Sequence, residues 1–409
     1  MKSLFDASFF EGNRKRLINR CGDDSVIAIT AAGLMQRSAD TTYPFRQDSN
    51  FWYLTGIDEP DVVLVMTSNH SFLIVPNRTK AENIFGGALD QKRLAKKSGI
   101  HEIYASREGW RQYKQLIAQA SHNEVHTLLP SPAKVTGTDS FYTHPARRQL
   151  AARLRRMTPG IVLKDARRDL MQMRQIKQPQ EVQAIRKAVD ITNSALTEIQ
   201  TNLGTFTNEM EIEAELDRSF RLHGAGHAYA PIIAAGGNAT TLHYIRNNAS
   251  LASEHSVLLD VGAEVENYAA DITRCYAIGA PNKRWQEVYA AVESVQKAAI
   301  GMLHDGLSWR TYGQQVEARI GEELLKLGLI TEVTPTTVRK YFPHGVSHSL
   351  GLDVHDVCDY TEIRENMVIT VEPGIYIPEE GIGVRIEDNV LITKTGSEVL
   401  RANPTLPVS

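Results

Sequence analysis

Two segments of this chain set pairs of carboxylates inside what otherwise read as apolar β-hairpins, and any fold for the chain has to accommodate both. The first, LLDVGAEVENYAADITR from Leu258, carries Asp260 and Asp271 and alternates with the period of two that a strand requires. With Asp260 opposite Asp271, the turn falls between Val265 and Glu266. Val257, Leu259, Val261, Ala270 and Ile272 then share one face, and both aspartates lie on the other. The second, VITVEPGIYIPEEGIGVRIEDNVLIT from Val368, behaves alike. With Glu372 opposite Glu387, the turn falls between Glu379 and Glu380, in a PEEG stretch with good turn chemistry. Ile369, Val371, Ile375, Val384 and Ile386 collect on one face. Thr370, Glu372, Tyr376, Arg385, Glu387 and Asn389 collect on the other.

Directly opposed like charges lie about 5 Å apart across a hairpin and destabilise it. Protonation relieves the repulsion, and a divalent cation relieves it better. A slip or bulge that turned one carboxylate to solvent would also serve, but it would have to happen in both hairpins.

Each hairpin follows two helical patterns. Pro179 is placed for a first helical turn, with Val182, Ile185, Val189 and Ala195 on one face, and a second helix runs from an Asn208 cap to about His223. Helices over Lys283–Leu303 and Ser308–Leu327 precede the second hairpin, at Met367–Thr393. The C-terminal part therefore reads twice as helix, helix, hairpin, which predicts two related halves packed around a shared site.

Between the second pair of helices and the second hairpin lies YFPHGVSHSLGLDVHD. His344 and His348 are spaced as in helical zinc motifs, but Pro343, Gly345 and Gly351 oppose a helix. Three histidines (His344, His348, His355) beside Asp353 and Asp356 leave a site role and a structural role both open. Four carboxylates with an imidazole form a hard donor set that suits Mn, Mg, Co or Fe better than a thiolate-type zinc site. That much negative charge fits two ions better than one. A two-metal site supplies a nucleophilic hydroxide and polarises a carbonyl at neutral pH, which means hydrolysis.

At these residues the chain resembles the pita-bread metallopeptidases, the family of Xaa-Pro aminopeptidases, prolidases, methionine aminopeptidases and metal-free creatinases. The family's ligands run Asp, Asp, His, Glu, Glu. Here VLLDVG, AADITR, HGVSHSLG, TVEPG and VRIEDN supply Asp260, Asp271, His348, Glu372 and Glu387 in that order. The complete set speaks against creatinase and against a non-catalytic peptide-binding module. YPFRQDSNFWYLTGIDEPDVVLVM resembles the amino-terminal domain of the aminopeptidase P branch, which methionine aminopeptidases lack.

The resemblance implies an α/β N-terminal domain over residues 1–170 and an α+β pita-bread catalytic domain over 171–409. It also implies a metallo-aminopeptidase that releases the N-terminal residue from peptides with proline second. Prolidase, which cleaves Xaa-Pro dipeptides, is the neighbouring reading. Two divalent ions are implied, manganese foremost, with cobalt, iron or zinc as alternatives. By the same resemblance Asp271 and Glu387 bridge them, Asp260 completes one site, and His348 and Glu372 complete the other. Glu372 is the implied general base, His355 stabilises the tetrahedral intermediate, His243 in ATTLHY contacts substrate, and His344 lies in the proline-binding region. Arg385 and Tyr376 orient ligands from behind. One departure stands out: the family's subunit-crossing loop carries a tryptophan and arginines, whereas AENIFGGALDQ has Ile84 and no arginine. Homodimer and homotetramer both remain open. The interval between Glu372 and Glu387 is also short, which predicts a trimmed loop over the site.

The rest of the chain is consistent with this. Its 409 residues suit two domains, and SVIAIT, DVVLVM and SFLIV alternate with helical candidates at Gly12–Asn19, Gln91–Ser98 and Gly109–Ala120, without a GxGxxG or P-loop. A net charge of -3 gives no reason to expect nucleic acid or an anionic membrane. The arginine-rich stretch from Arg147 to Lys177 carries Leu150, Leu154 and Met157 at helical spacing and reads as a solvated helix face. No secretory signal and no membrane span is visible, and three widely spaced cysteines (Cys21, Cys275, Cys358) suit a reducing cytoplasm.

Overall fold

The uninterrupted apolar runs become central strands, because only a strand buried on both faces tolerates them. The computed structural model describes residues 3–120, 123–130, 144–252, 254–280 and 282–400. The chain forms two compact units, Met1–Met173 and Arg174–Ser409.

In the first unit a six-stranded sheet runs in the order Glu102–Ala105, Ser71–Val75, Val63–Met66, Val26–Thr30, Glu124–Thr127, Val162–Asp165. The three central strands pair antiparallel and the outer ones parallel. Helices occupy Ala7–Cys21, Gln91–Ser98 and Ser106–Gln119. The first begins earlier than its periodicity suggests because the Asp6 side chain accepts from Phe9 N and caps it. The arginine-rich stretch contains the helix Pro145–Met157, which buries Leu150, Ala151 and Leu154 and exposes Arg148, Arg153, Arg155 and Arg156. No helix among the described residues is long and apolar enough to cross a membrane.

In the second unit the helix Pro179–Asn202 starts on its proline, and Glu209–Leu222 is capped by Asn208. Lys283–Met302 and Trp309–Lys326, capped by Asn282 and Ser308, repeat the pair. Each hairpin lies in a three-stranded antiparallel sheet. The first combines Ile232–Ala235, Ser256–Val261 and Ile272–Ala277, and the second Val368–Val371, Asp388–Thr393 and Gly396–Val399. The third strand precedes the hairpin in one half and follows it in the other, so the halves match in architecture without matching in connectivity.

The second hairpin has the expected register: Val371 pairs with Asp388 and Gly374 with Arg385, which sets Glu372 against Glu387. A turn at Pro378–Glu380, closed by left-handed Gly381, enforces it. The first hairpin corrects the expectation. Asp260 pairs with Thr273, and Asp271 lies two pairs nearer the turn. The turn is centred on Glu266 and Asn267, both left-handed with φ of 48° and 67°. Asparagine tolerates that conformation and a β-branched Val265 does not. A two-residue slip preserves the strand's parity, so both aspartates keep their common face.

That face is not a wet one. Leu258 and Cys275, on the aspartate side, join one apolar core with Val371, Ile375, Val384 and Ile386 and with the helix residues Val288, Val292 and Tyr312. The strands of the two halves join at the carboxylates. Glu387 N donates to Thr273 O (3.1 Å), and the Asn389 side chain both accepts from Asp271 N (3.1 Å) and donates to Asp271 O. At Gly262 a Cβ would lie 1.9 Å from Ala270 O, so only glycine lets the first hairpin close beside Asp271.

Candidate metal centre

Strand ends from both halves deliver the acidic side chains to one place. One ligand atom each from Asp271, His348 and Glu387 lies within 4.8 Å of the others. Glu372 is tied to this group through His348, whose Nε2 is 3.5 Å from Glu372 Oε1 and 3.3 Å from Asp271 Oδ2. Asp260 is tied to it through Tyr229, whose hydroxyl lies 2.7 Å from Asp260 Oδ1 and 2.6 Å from Asp271 Oδ1. The five expected ligands therefore adjoin: three converge directly, Glu372 joins them through His348, and Asp260 joins them through Tyr229.

The electrostatics identify what this group lacks. Burial, then Asp271, Glu372 and Asp260, push the Glu387 carboxyl well above its ordinary value. Burial likewise pushes Glu372 up to about 7 and raises Asp260, the latter against the pull of Arg385. Burial alone would push His348 down, yet its contact with Asp271 and the charge of Glu372 raise it to about 9. The site thus draws a positive charge onto the edge of His348 that faces its carboxylates. Glu387 Oε1 is buried without a hydrogen-bond partner, while Oε2 accepts from Thr273 Oγ1 at 2.7 Å. A buried, unpartnered carboxylate oxygen among like charges fits a cation. His348 Nδ1 donates to Ser349 O (3.1 Å), so a cation that displaces the proton on Nε2 would find that nitrogen's lone pair facing the carboxylates. Asp260, Asp271, His348, Glu372 and Glu387 are the residues that could hold it.

Around this group the remaining predicted residues take distinct places. Arg385 donates to Asp260, to Thr273 Oγ1 (3.1 Å) and to the Tyr376 hydroxyl (2.9 Å). Tyr376 lies 2.8 Å from His344 Nε2, and His344 Nδ1 donates to Gly345 O at 2.8 Å. Since a carbonyl only accepts, His344 is protonated on Nδ1 and its Nε2 accepts from Tyr376. Burial holds that imidazole down at about 4, with the charges of Arg385 and His243 adding to it. The His355 ring packs edge-on to His348 at 4.4 Å while remaining exposed. His243 is exposed too, near enough for its charge to act on His344 and His355.

Sequence reasoning missed Tyr229 and Thr273. Thr273 had a signal, since it shares the aspartates' strand parity. Tyr229 had none: it lies 31 residues before Asp260 in an unremarkable HAYAP stretch.

Comparison with known proteins places this geometry. Residues 183–394 match the model of metallopeptidase family M24, and residues 10–126 match the aminopeptidase P N-terminal domain. Over 96% of this chain and 94% of the relative, the sequence is 33% identical to the Xaa-Pro aminopeptidase of Escherichia coli K12. It is 30% identical to human Xaa-Pro aminopeptidase 3 over 95% of this chain and 80% of that protein. A putative aminopeptidase P from Bacillus anthracis superposes with a TM-score of 0.87 at 30% identity, covering 97% of this chain and 95% of that one. Zinc-substituted E. coli aminopeptidase P in complex with product gives 0.83 at 31% identity, with the same coverage.

Proposed function

The chain belongs to metallopeptidase family M24, in its aminopeptidase P branch, and from that membership we propose that it releases the N-terminal residue from peptides whose second residue is proline, using two divalent ions. The fold is that of a two-domain, pita-bread metallo-aminopeptidase. The observation that carries the proposal is the convergence of Asp271, His348 and Glu387 within 4.8 Å, together with a buried, unpartnered Glu387 oxygen.

Asp260, Asp271, His348, Glu372 and Glu387 would hold the ions. When bound, the ions supply an acidified water and a Lewis acid for the scissile carbonyl. The chain's own groups do the rest. Glu372 takes a proton from the attacking water and returns it to the proline nitrogen as the C–N bond breaks. His355, exposed beside His348, donates to the carbonyl oxygen as negative charge develops there. His243 contacts the substrate near the scissile bond, and His344 lies where the proline ring binds. Arg385 and Tyr376 keep Asp260 and His344 in orientation.

The oxygen-rich donor set favours manganese, and the zinc in the E. coli product complex shows that a related site accepts another ion. Three unpaired cysteines fit a reducing cytoplasm. Ile84 and Phe85 are 80% and 92% exposed, which supports self-association as a homodimer or homotetramer. Light scattering should return a multiple of 45.5 kDa, and a monomer mass at micromolar concentration would refute it.

The direct experiment is mass spectrometry of products from Mn(II)-loaded protein given Ala-Pro-Ala, Ala-Pro and Met-Ala-Ser together. Free alanine from the tripeptide is expected. Cleavage of the dipeptide alone, or of nothing while metal is shown to be bound, overturns the proposal.

A further inference from the structure

Glu209 is fully buried at the start of the helix Glu209–Leu222, and its carboxylate does not serve that helix. Its Oε1 accepts from Ala235 N (2.8 Å) and Asn238 Nδ2 (3.1 Å). Its Oε2 accepts from the Tyr244 hydroxyl (2.9 Å) and Ala249 N (2.8 Å). Glu209 N in turn donates to Ala249 O at 3.0 Å. All four donors to the carboxylate come from one stretch, residues 235–249, which begins at the last residue of the strand Ile232–Ala235 and continues through the short turn Gly236–Thr240. That stretch carries His243, directly beside Tyr244.

The stretch is pressed from the other side by the second hairpin. A Cβ on Gly383 would lie 2.2 Å from Ala239 O, so the strand Ile382–Arg385 runs against the turn's backbone with no side chain between. Near its end Asn247, left-handed with φ of 45°, accepts from Ile233 N (3.0 Å) and donates to Pro231 O (2.9 Å). The arrangement grips both flanks of His243 and leaves the imidazole exposed.

We propose that Glu209 is a positioning residue for the reaction. It holds residues 235–249 as one unit and so fixes where the exposed His243 imidazole stands. A carboxylate is needed because four donors meet two oxygens. Glutamine offers one acceptor and would turn its own N–H groups toward two of the donors. The inference rests on the substrate-contacting role given to His243 above.

The test is a double-mutant cycle on Mn(II)-loaded protein with Ala-Pro-Ala. Glu209→Gln should lower kcat/KM about tenfold or more, chiefly through KM and with unchanged metal content. In a His243→Ala background the same change should shift kcat/KM by less than about twofold, because the group it acts through is gone. Losses that multiply would overturn the proposal. Tyr244→Phe, which deletes one donor, should give a smaller loss with the same dependence on His243, and it carries the test if Glu209→Gln folds poorly. Asn208→Ala removes the cap of the same helix. It should lower the thermal midpoint without raising KM, and a raised KM there would reduce Glu209 to helix stability. NMR of the His243 ring needs no turnover. Its resonance should shift or broaden in Glu209→Gln, and an unchanged resonance sinks the inference even if no Xaa-Pro peptide is cleaved.

Discussion

A Glu387→Ala protein is expected to lose hydrolysis of Xaa-Pro peptides by about a thousandfold or more, the equivalent of roughly 4 kcal/mol of transition-state stabilisation. It should do so while staying folded. The local main chain is held independently of the Glu387 carboxylate. Glu387 N donates to Thr273 O, Arg274 donates to Glu387 O, and Asn389 bonds the Asp271 backbone in both directions. The carboxylate contributes repulsion instead, since burial and its three acidic neighbours oppose its ionisation. Metal-free variant and metal-free wild type should therefore melt at similar temperatures. Added Mn(II) should raise the melting temperature of the wild type only, because only the intact site gains binding free energy on folding. Asp260→Ala should lose activity and the Mn(II) response in the same way, but should also melt lower without metal, because it leaves the buried Arg385 guanidinium without its carboxylate. Elemental analysis showing two ions per chain together with near-normal turnover in either variant would remove these residues from the ligand set.

Arg174→Met is expected to give the largest loss of stability that leaves every metal-facing residue in place. The Arg174 guanidinium is buried against Asp356, itself buried, and lies 2.7 Å from the half-exposed Asp353. Lys177 Nζ completes the group, 3.1 Å from Asp356 and 3.4 Å from Ser349 Oγ. Packing here is tight, since a Cβ on Gly351 would lie 2.2 Å from Asp356 Oδ2. Removing one partner of a buried ion pair costs about 3–5 kcal/mol, because the other charge is left uncompensated. For a unit of this size that corresponds to about 10 °C in Tm.

The pH dependence has a definite sign. Burial alone would raise the Asp356 carboxyl, but Arg174 and Lys177 outweigh it and hold it below its ordinary value. A group depressed on folding stabilises the protein above its unfolded pKa of about 4 and loses that contribution as pH falls through its folded value. The stability gap between wild type and Arg174→Met should therefore be full at pH 7 and narrow below about pH 4. Urea melts between pH 7 and 3 measure it. Equal stability at pH 7 would show that Lys177 suffices for Asp356.

How much of this was legible varies from element to element. The second hairpin was readable down to its pairs, because PEEG offers a single good turn and the flanking strands alternate cleanly. The first was readable in face but not in register. ENY offers competing turn positions, and the left-handed pair at Glu266 and Asn267 won because Asn accommodates positive φ. The histidine stretch announced itself by crowding, though nothing local said that His348 would face the carboxylates while His344 turned to Tyr376.

What the sequence determined by itself was parity and charge. Strand alternation put Asp260 with Asp271 and Glu372 with Glu387, and like charges confined to one face called for a cation. Both follow from near neighbours along the chain, where the period of two and the sign of a side chain are local properties. Only the tertiary structure decided which atoms meet. Asp271 and Glu387 come together because Asn389 and Thr273 join the two halves. Tyr229 bridges the aspartates from a separate segment, and Glu209 grips the His243 stretch from a helix start. Those meetings are made by packing between segments far apart in sequence, and no local period encodes a distance across the fold.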